Sequence, residues 1–210
     1  MEILQEISTL LQQGKATDIG AFVEKALDDG VSAKRILEEG LLHGMGIIGE
    51  KFKNSEVFLP EVLMAARAMN IGTAILKPHL ANTDVKSAGK VVLGTVKGDL
   101  HDIGKNLVRM MMEGRGLEVI DVGTDVSAEK FVETAIAENA QIIACSALLT
   151  TTMGEVKEVV EAADAAGIRG KVKIMAGGAP VTEVFCKSVG ADLYAPDAAS
   201  AADEAVAACK

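Results

Sequence analysis

The sequence predicts an α/β protein in two parts, an N-terminal four-helix bundle and a flavodoxin-like (Rossmann-like), doubly wound sheet of five parallel strands. Apolar residues recur at helical spacing through residues 2–80, which is typical of amphipathic helices. From Lys90 onward, short β-branched runs alternate with helical segments, which indicates a parallel sheet covered by helices. Residues 81–89 are small and polar without periodicity, so we expect a linker there.

The N-terminal part should form four helices. Breaks are predicted at Gly14, Asp29-Gly30 and Asn54-Ser55. The third helix should begin after Ser32, because serine caps helix N termini. The fourth should begin near Pro60-Glu61, because proline suits the first turn and glutamate suits the positive end of the helix dipole. Pro78 is expected to end the bundle.

The C-terminal part should contain five strands and five helices. Strands are predicted at 90–96, 117–121, 141–146, 171–176 and 192–195, and helices near 104–115, 127–138, 152–166, 180–188 and 198–208. This alternation matches the flavodoxin-like order, in which a ligand binds at the carboxyl end of the first strand, where the strand order reverses.

Composition excludes several classes of function. The net charge of -9, from 30 acidic and 21 basic residues spread along the chain, argues against nucleic-acid or membrane binding. The three cysteines, Cys145, Cys186 and Cys209, are odd in number and lack a C-x-x-C spacing, so neither a disulfide framework nor a thiolate zinc site is indicated. The N-terminus lacks a targeting pattern, so we expect a cytoplasmic protein.

One strand, loop and helix carry the strongest chemical signal. The loop Gly98-Asp99-Leu100-His101-Asp102-Ile103-Gly104 follows the first predicted strand. A neutral imidazole offers one nitrogen to a metal, and its tautomer is set by the group to which the other nitrogen donates. Asp99 is close enough in sequence to accept the second N–H of His101 if the loop curls, which would make the histidine a better ligand. The spacing from Gly98 to Lys105 does not fit a P-loop, and no dinucleotide fingerprint follows the strand.

The spelling Asp99-x-His101-x-x-Gly104 resembles the cobalamin-binding signature of the corrinoid proteins of methyltransferase systems, and of the cap plus cobalamin-binding module of methionine synthase. In that family the histidine replaces the cofactor's own dimethylbenzimidazole as the lower cobalt ligand. The resemblance therefore implies base-off/His-on cobalamin binding with His101 as the metal ligand. A corrin supplies four equatorial nitrogens, so one histidine suffices, whereas zinc needs three or four protein ligands.

The resemblance extends to two later strand ends, where Ser146-Ala147-Leu148 and Gly177-Gly178 are similar to the family's S-x-L and G-G motifs. It implies that the cofactor is bound by Gly98, Asp99, His101, Asp102, Ile103, Gly104, Ser146, Leu148, Thr150, Thr152, Gly177, Gly178, Tyr194 and Ala195. Among these, Thr152 should supply a hydroxyl that forms a relay with Asp99 and His101. The alternative for each later motif is a structural role without a cofactor. Serine or threonine before a helix can be an N-cap, and Gly-Gly after a strand can form a turn.

The start of the fourth helix, Glu56 to Leu63, resembles the family's cap motif, in which an aromatic and an aliphatic residue cover the upper face of the corrin. The resemblance implies this role for Phe58, Leu59 and Val62. The alternative is that these are ordinary core residues at the start of a helix.

The resemblance covers nearly the whole chain, with a helical cap at 1–80, a linker at 81–89 and a cobalamin-binding domain at 90–210. It implies a corrinoid methyl carrier of one-carbon metabolism without turnover alone. A donor-specific methyltransferase would transfer a methyl group from a methylamine, methanol or a methoxylated aromatic, giving methylcobalamin in the loaded state. An acceptor methyltransferase would pass it to tetrahydrofolate or a thiol, and a reductive activase is a further expected partner. The alternatives are the cobalamin-binding subunit of an adenosylcobalamin-dependent mutase and a cobalamin sensor module.

Overall fold

The computed structural model describes residues 2–80 and 87–210. The chain divides into two compact units, Met1–Lys86 and Ser87–Lys210. Most of the predicted linker, residues 81–86, lies outside the described residues. Ala88 and Gly89 belong to the second unit, where the Ala88 N–H donates to the Gly116 carbonyl and the Gly89 carbonyl accepts from Glu118.

The first unit is helical throughout its described length. Its elements are α1 Glu2–Gln12, α2 Ala16–Asp28, α3 Ala33–Arg35, a π-helical segment Ile36–Leu42, α4 His43–Lys53 and α5 Leu59–Leu80. Since α3, the π-helical segment and α4 follow one another without a break, they form the single third helix that the sequence predicts. The side chain of Ser32 accepts a hydrogen bond from the Arg35 N–H and caps it. The π-helical segment was not predicted, because the spacing of apolar residues does not distinguish a π-helix from an α-helix.

Glycines let α1 approach this long helix closely. A Cβ atom added at Gly40 would lie 3.0 Å from Cγ2 of Ile7, and one added at Gly44 would lie 3.0 Å from the Ser8 carbonyl oxygen. Ile7 is fully buried at this contact. The helix propensity lost at each glycine is therefore offset by packing.

The fourth predicted helix is α5. It begins at Leu59, so Pro60 and Glu61 lie in its first turn as predicted. The Glu61 carboxylate also accepts a hydrogen bond of 3.1 Å from the Phe58 N–H. The expectation that Pro78 ends the bundle is wrong, since α5 continues to Leu80. Proline lacks the N–H that would donate to the carbonyl four residues earlier, so Pro78 removes one hydrogen bond from the helix, and the helical backbone continues for two more residues.

The second unit is a five-stranded sheet with helices. Its elements are β1 Lys90–Val96, α6 Ile103–Glu113, β2 Glu118–Val126, α7 Ala128–Glu138, β3 Ile142–Ser146, α8 Glu155–Ala165, β4 Lys173–Gly177, α9 Glu183–Val189, β5 Leu193–Tyr194 and α10 Ala198–Ala208. The strand order is β2-β1-β3-β4-β5, and every strand pair is parallel. This is the predicted flavodoxin-like order, and it places the carboxyl ends of β1, β3 and β4 side by side.

The central strand β1 is buried from Val91 to Val96, which explains its unbroken apolar sequence. Its neighbour β2 is longer than predicted and runs to Val126 rather than residue 121. The chain continues to pair with β1 beyond a register shift at Gly94, whereas Gly123 and Asp125 look like turn residues in the sequence. Within the described part of the chain, no helix is long and apolar enough to cross a membrane.

Candidate functional site

The loop between β1 and α6 holds His101 against Asp99. Asp99 is fully buried, while the side chain of His101 is 49% exposed. Oδ1 of Asp99 lies 2.7 Å from Nδ1 of His101 and also accepts from the His101 backbone N–H at 3.1 Å. The loop therefore curls as the spacing predicted. With Nδ1 donating to an ionised carboxylate, Nε2 is the ring nitrogen left to bind a metal.

The other oxygen of Asp99 is bound from the loop after β3. Oδ2 accepts hydrogen bonds from the backbone N–H groups of Leu148 at 2.8 Å and Leu149 at 3.3 Å, and from Oγ1 of Thr152 at 2.9 Å. Burial alone would raise the pKa of Asp99, but the donors from Leu148, His101 and Thr152 outweigh it and hold the pKa well below its ordinary value. Asp99 is thus a buried anion next to His101.

Two further features fix the loop itself. The buried hydroxyl of Thr95, near the end of β1, donates to the His101 carbonyl at 2.8 Å. Gly98 has a φ of +78°, a conformation that glycine adopts without steric cost. The imidazole is consequently held through its backbone as well as through its ring.

Beside His101, a cavity of about 290 Å³ lies among the loops at the carboxyl ends of β1, β3, β4 and β5. Eight residues predicted to bind a cofactor line it, namely His101, Gly104, Ser146, Leu148, Gly177, Gly178, Tyr194 and Ala195. Much of the remaining wall is apolar and includes Leu93, Val108 and Met175. The structure thus brings residues from four separate segments to one cleft.

The other predicted residues of this unit lie around the cavity rather than in its wall. Asp99 and Thr152 are buried behind His101. Gly98, Asp102 and Thr150 are exposed. Ile103 is 72% exposed and Leu100, which was not singled out, is 74% exposed, so two large apolar side chains flank His101 in sequence at the surface.

Gly178 is needed for the packing of two of these loops. A Cβ atom at this position would lie 1.9 Å from the Ala147 carbonyl oxygen, and its φ of +135° is itself a glycine conformation. The Ala147 N–H also donates to the Gly177 carbonyl at 3.0 Å. The G-G pair therefore joins the β4 loop to the S-x-L loop.

The three predicted cap residues of the helical unit differ in exposure. Phe58 is 65% exposed, and Leu59 is half-buried. Val62 has no exposed surface, so its predicted contact with the corrin is not supported. Val62 lies on the inward side of α5 with Ala66 and Met69, and the outward positions next to it hold Leu63 and Met64, which are 44% and 51% exposed.

Sequence reasoning missed a buried ion pair at the cavity wall. Lys105 lines the cavity and is only 3% exposed, and its Nζ lies 2.5 Å from Oδ2 of Asp121 on β2. Burial raises the pKa of Asp121, but the Lys105 ammonium, the Gly123 N–H and the charge of Arg109 together outweigh it, and the pKa falls below its ordinary value. The only signal in the sequence was a lysine on the apolar side of a predicted helix.

Cys145 was interpreted as a buried apolar residue, and it lies at the cavity wall with 3% exposure. Burial raises the pKa of its thiol to about 12, so it stays protonated. In the described ranges, no group of three or more His, Cys, Asp or Glu side chains could hold a metal ion. A metal at His101 would therefore not find three such protein ligands among the described residues.

Comparisons with known proteins identify the family of this chain. Residues 89–206 match the family described as the B12 binding domain, and residues 3–77 match a second family with the same description. The chain is 43% identical over 205 residues to dimethylamine corrinoid protein 1 of Methanosarcina mazei, covering 97% of this chain and 94% of that protein. It is 40% identical over 209 residues to a corrinoid protein of Desulfitobacterium hafniense, covering 98% and 95%.

A solved structure shows the same fold. The methanol:cobalamin methyltransferase complex MtaBC from Methanosarcina barkeri matches with a TM-score of 0.89 at 31% identity, covering 98% of this chain and 80% of that chain. The chain belongs to the cobalamin-binding corrinoid proteins of methyltransferase systems.

Proposed function

We propose that this chain is a methyl carrier that binds cobalamin in the base-off/His-on form and exchanges a methyl group between two methyltransferases. The observation that carries the proposal is the geometry of His101. Its Nδ1 is held 2.7 Å from the buried carboxylate of Asp99, which leaves Nε2 for cobalt. The corrin ring supplies the four equatorial nitrogen ligands of cobalt. The protein therefore needs to add only one ligand, and a single imidazole beside a cleft can do so.

His101, Asp99 and Thr152 act together in this proposal. Cobalamin, when bound, supplies a cobalt centre that accepts and gives up a methyl group. Asp99 orients the imidazole and, because it stays ionised, favours a proton on Nδ1. Thr152 donates to the second carboxylate oxygen and so stabilises that charge when His101 binds or releases the metal.

The cavity beside His101 is the proposed slot for the cofactor's displaced nucleotide tail. Its wall is mainly apolar, with polar groups from Ser146, Tyr194 and the Gly177-Gly178 backbone, which suits a flat aromatic base on a polar ribose-phosphate chain. Thr150 lies outside this wall, so we place it at the rim. The exposed Leu100 and Ile103 would then face the corrin ring.

We propose that the helical unit is the cap over the upper corrin face, with Phe58 and Leu59 as its contact residues. Phe58 combines high exposure with a position at the N-terminus of α5, fixed by the hydrogen bond to Glu61. Val62 is left out of this proposal because it is buried. The cap would have to move aside when a methyltransferase binds.

The proposed partners follow from the named relatives. Those relatives are corrinoid proteins for dimethylamine and trimethylamine, and the matched structure is a complex with a methanol methyltransferase. We propose a donor-specific methyltransferase for a methylamine or methanol, an acceptor methyltransferase for tetrahydrofolate or a thiol, and a reductive activase, all in the cytoplasm.

The test is reconstitution of the protein with cobalamin, chemical reduction, and incubation with each methyl donor in the presence and absence of its methyltransferase. We expect the methylated cofactor spectrum only when donor, cognate methyltransferase and carrier are combined. Methylation without any methyltransferase, or none with the whole set of methylamine and methanol enzymes, would contradict the proposal. A wild-type spectrum without histidine coordination would contradict its base-off/His-on part.

A further inference from the structure

The carboxyl end of β2 lies against the start of the His101 loop. The pairing of β2 with β1 is regular from Lys90 and Glu118 to Leu93 and Asp121, and then shifts register on both sides of Gly94. Beyond the shift, Gly123 has a φ of +92° and Asp125 a φ of +54°. These conformations interrupt the regular strand, as in a β-bulge, and such irregularities re-aim the chain near functional sites.

Asp125 makes two hydrogen bonds to that loop. Its Oδ1 accepts from the Gly98 backbone N–H at 2.7 Å, and its own N–H donates to the Asp99 carbonyl at 3.0 Å. Side chain and main chain of one residue therefore bind both sides of the Gly98-Asp99 pair. Nothing else described on β2 contacts these two residues by a hydrogen bond.

These bonds act on the residue that orients the imidazole. The Asp99 N–H donates to the Val96 carbonyl at 3.1 Å, which closes the turn after β1. With its carbonyl bound by Asp125 and its N–H bound by Val96, Asp99 has a fixed backbone. Its carboxylate then binds both the ring and the backbone of His101.

The backbone of Asp125 indicates that its side chain has a role. A φ of +54° lies in the left-handed region, which non-glycine residues occupy rarely and which Asp and Asn tolerate best. Glycine would adopt it without strain, as Gly123 and Gly98 do nearby. An aspartate here keeps an acceptor for the Gly98 N–H that glycine would lack.

We infer that Asp125 is a positioning residue for His101, which binds the Gly98 N–H and the Asp99 carbonyl on either side of the Gly98-Asp99 pair and thereby fixes the direction of the imidazole. This rests on the proposed function, in which His101 is the lower ligand. Asp125 itself is exposed and touches neither the imidazole nor the cavity wall by any contact described above. Its effect on the metal passes through Asp99.

The test compares Asp125→Gly, which keeps the backbone conformation and removes the carboxylate, with Asp125→Asn, which keeps an acceptor oxygen. Each holoprotein is examined by ultraviolet-visible spectroscopy for the ratio of histidine-coordinated to uncoordinated cobalamin. Asp125→Gly should lower this ratio by about threefold to tenfold, the effect of one lost hydrogen bond to a charged group at an exposed site. Asp125→Asn should restore most of it.

A second readout needs no cofactor. Amide hydrogen exchange followed by nuclear magnetic resonance should show the Gly98 N–H and the His101 Nδ1–H exchanging faster in Asp125→Gly than in wild type. Asn139→Gly is the matched control, because Asn139 also has a left-handed φ of +52° but lies at the end of α7. It should leave both signals and the spectrum unchanged.

The outcomes separate this inference from the proposed function. An Asp125→Gly protein with wild-type exchange and a wild-type spectrum overturns the inference. If wild type itself shows no histidine coordination, the lower-ligand assignment fails, and the exchange of the His101 Nδ1–H still decides whether Asp125 positions the ring. Equal loss in Asp125→Asn and Asp125→Gly also overturns the inference, because the acceptor oxygen would then be irrelevant.

Discussion

Thr152 donates a hydrogen bond of 2.9 Å to Oδ2 of Asp99, the carboxylate oxygen that His101 does not use. The two residues come from different loops, one after β1 and one after β3. Because Asp99 is fully buried, its charge depends on donors from both loops. The carboxylate that orients His101 is therefore also a structural link between two loops that border the cavity.

The variant His101→Ala should show whether the protein can bind cobalamin without histidine coordination of the cobalt. The variant keeps the cavity, so we expect it to bind cobalamin more weakly but still measurably, and to lose the absorption signature of histidine coordination. The measurement is a cobalamin titration followed by ultraviolet-visible spectroscopy. His79→Ala is a matched control, because His79 is exposed on α5 and should change neither result. An unchanged spectrum in His101→Ala would refute the ligand assignment.

Asp99→Asn should lower the free energy of unfolding at neutral pH and make it depend less on pH in the acid range. The folded pKa of Asp99 lies below its unfolded value, so its ionisation stabilises the fold above about pH 4, and this stability is lost as the pH falls toward the folded pKa. Asparagine would also place an NH₂ group, itself a donor, next to the N–H and O–H groups that donate to Asp99. We expect a loss of about 2–3 kcal/mol in the free energy of unfolding at pH 7.

The measurement for Asp99→Asn is urea unfolding at pH 7 and at pH 3.5. The difference between the two proteins should shrink at the lower pH. Asp102→Asn is the control, because Asp102 is exposed in the same loop, and it should unfold close to wild type at both pH values. A constant difference at both pH values would contradict the role of the buried charge.

Part of this site follows directly from the sequence. Asp99 and His101 are two residues apart, so one curled loop brings them together whatever the rest of the fold does. Ser146 and Thr152 were assigned through the resemblance to the corrinoid family, and the parallel sheet explains why their loop lies near the His101 loop, since its strand ends are adjacent by topology.

Other contacts depend on geometry that no short pattern encodes. Gly98 meets Asp125 where β2 has shifted register against β1 beyond Gly94, and Lys105 of α6 meets Asp121 at the end of the regular pairing. Such a shift depends on packing between strands far apart in sequence. Val62 was assigned to the cap through the resemblance to the family motif, and its burial on the inward side of α5 favours the alternative of a core residue.

Thr152→Val and Thr152→Ser test whether the hydroxyl matters apart from the side-chain volume. Valine keeps the shape and removes the donor, leaving Oδ2 of Asp99 with its two backbone donors. We expect Thr152→Val to lower the free energy of unfolding by about 1–2 kcal/mol and to raise the pH of acid unfolding. Thr152→Ser should remain close to wild type, and equal losses in both variants would point to packing as the cause.

Gly178→Ala should be among the most damaging single substitutions in the cleft. The added Cβ would lie 1.9 Å from the Ala147 carbonyl oxygen in a backbone conformation with a φ of +135°, so the two loops must separate. We expect a loss of about 3 kcal/mol or more, measured by chemical unfolding. Gly170→Ala is the control, because a Cβ there meets no atom within 4 Å. Comparable losses in the two variants would show that the close approach is not the cause.

Gly104→Ala should have opposite effects on the free protein and on its cofactor. Gly104 lies in the first turn of α6 and at the cavity wall, and an added Cβ meets no protein atom within 4 Å. Alanine is about 1 kcal/mol better than glycine within a helix, so the cofactor-free protein should be equally or more stable. A methyl group beside His101 would, however, occupy space proposed for the cofactor, and the dissociation constant for cobalamin should rise at least several-fold. Unfolding of the free protein and cobalamin titration measure the two effects separately, and unchanged cobalamin affinity would move the proposed binding surface away from the start of α6.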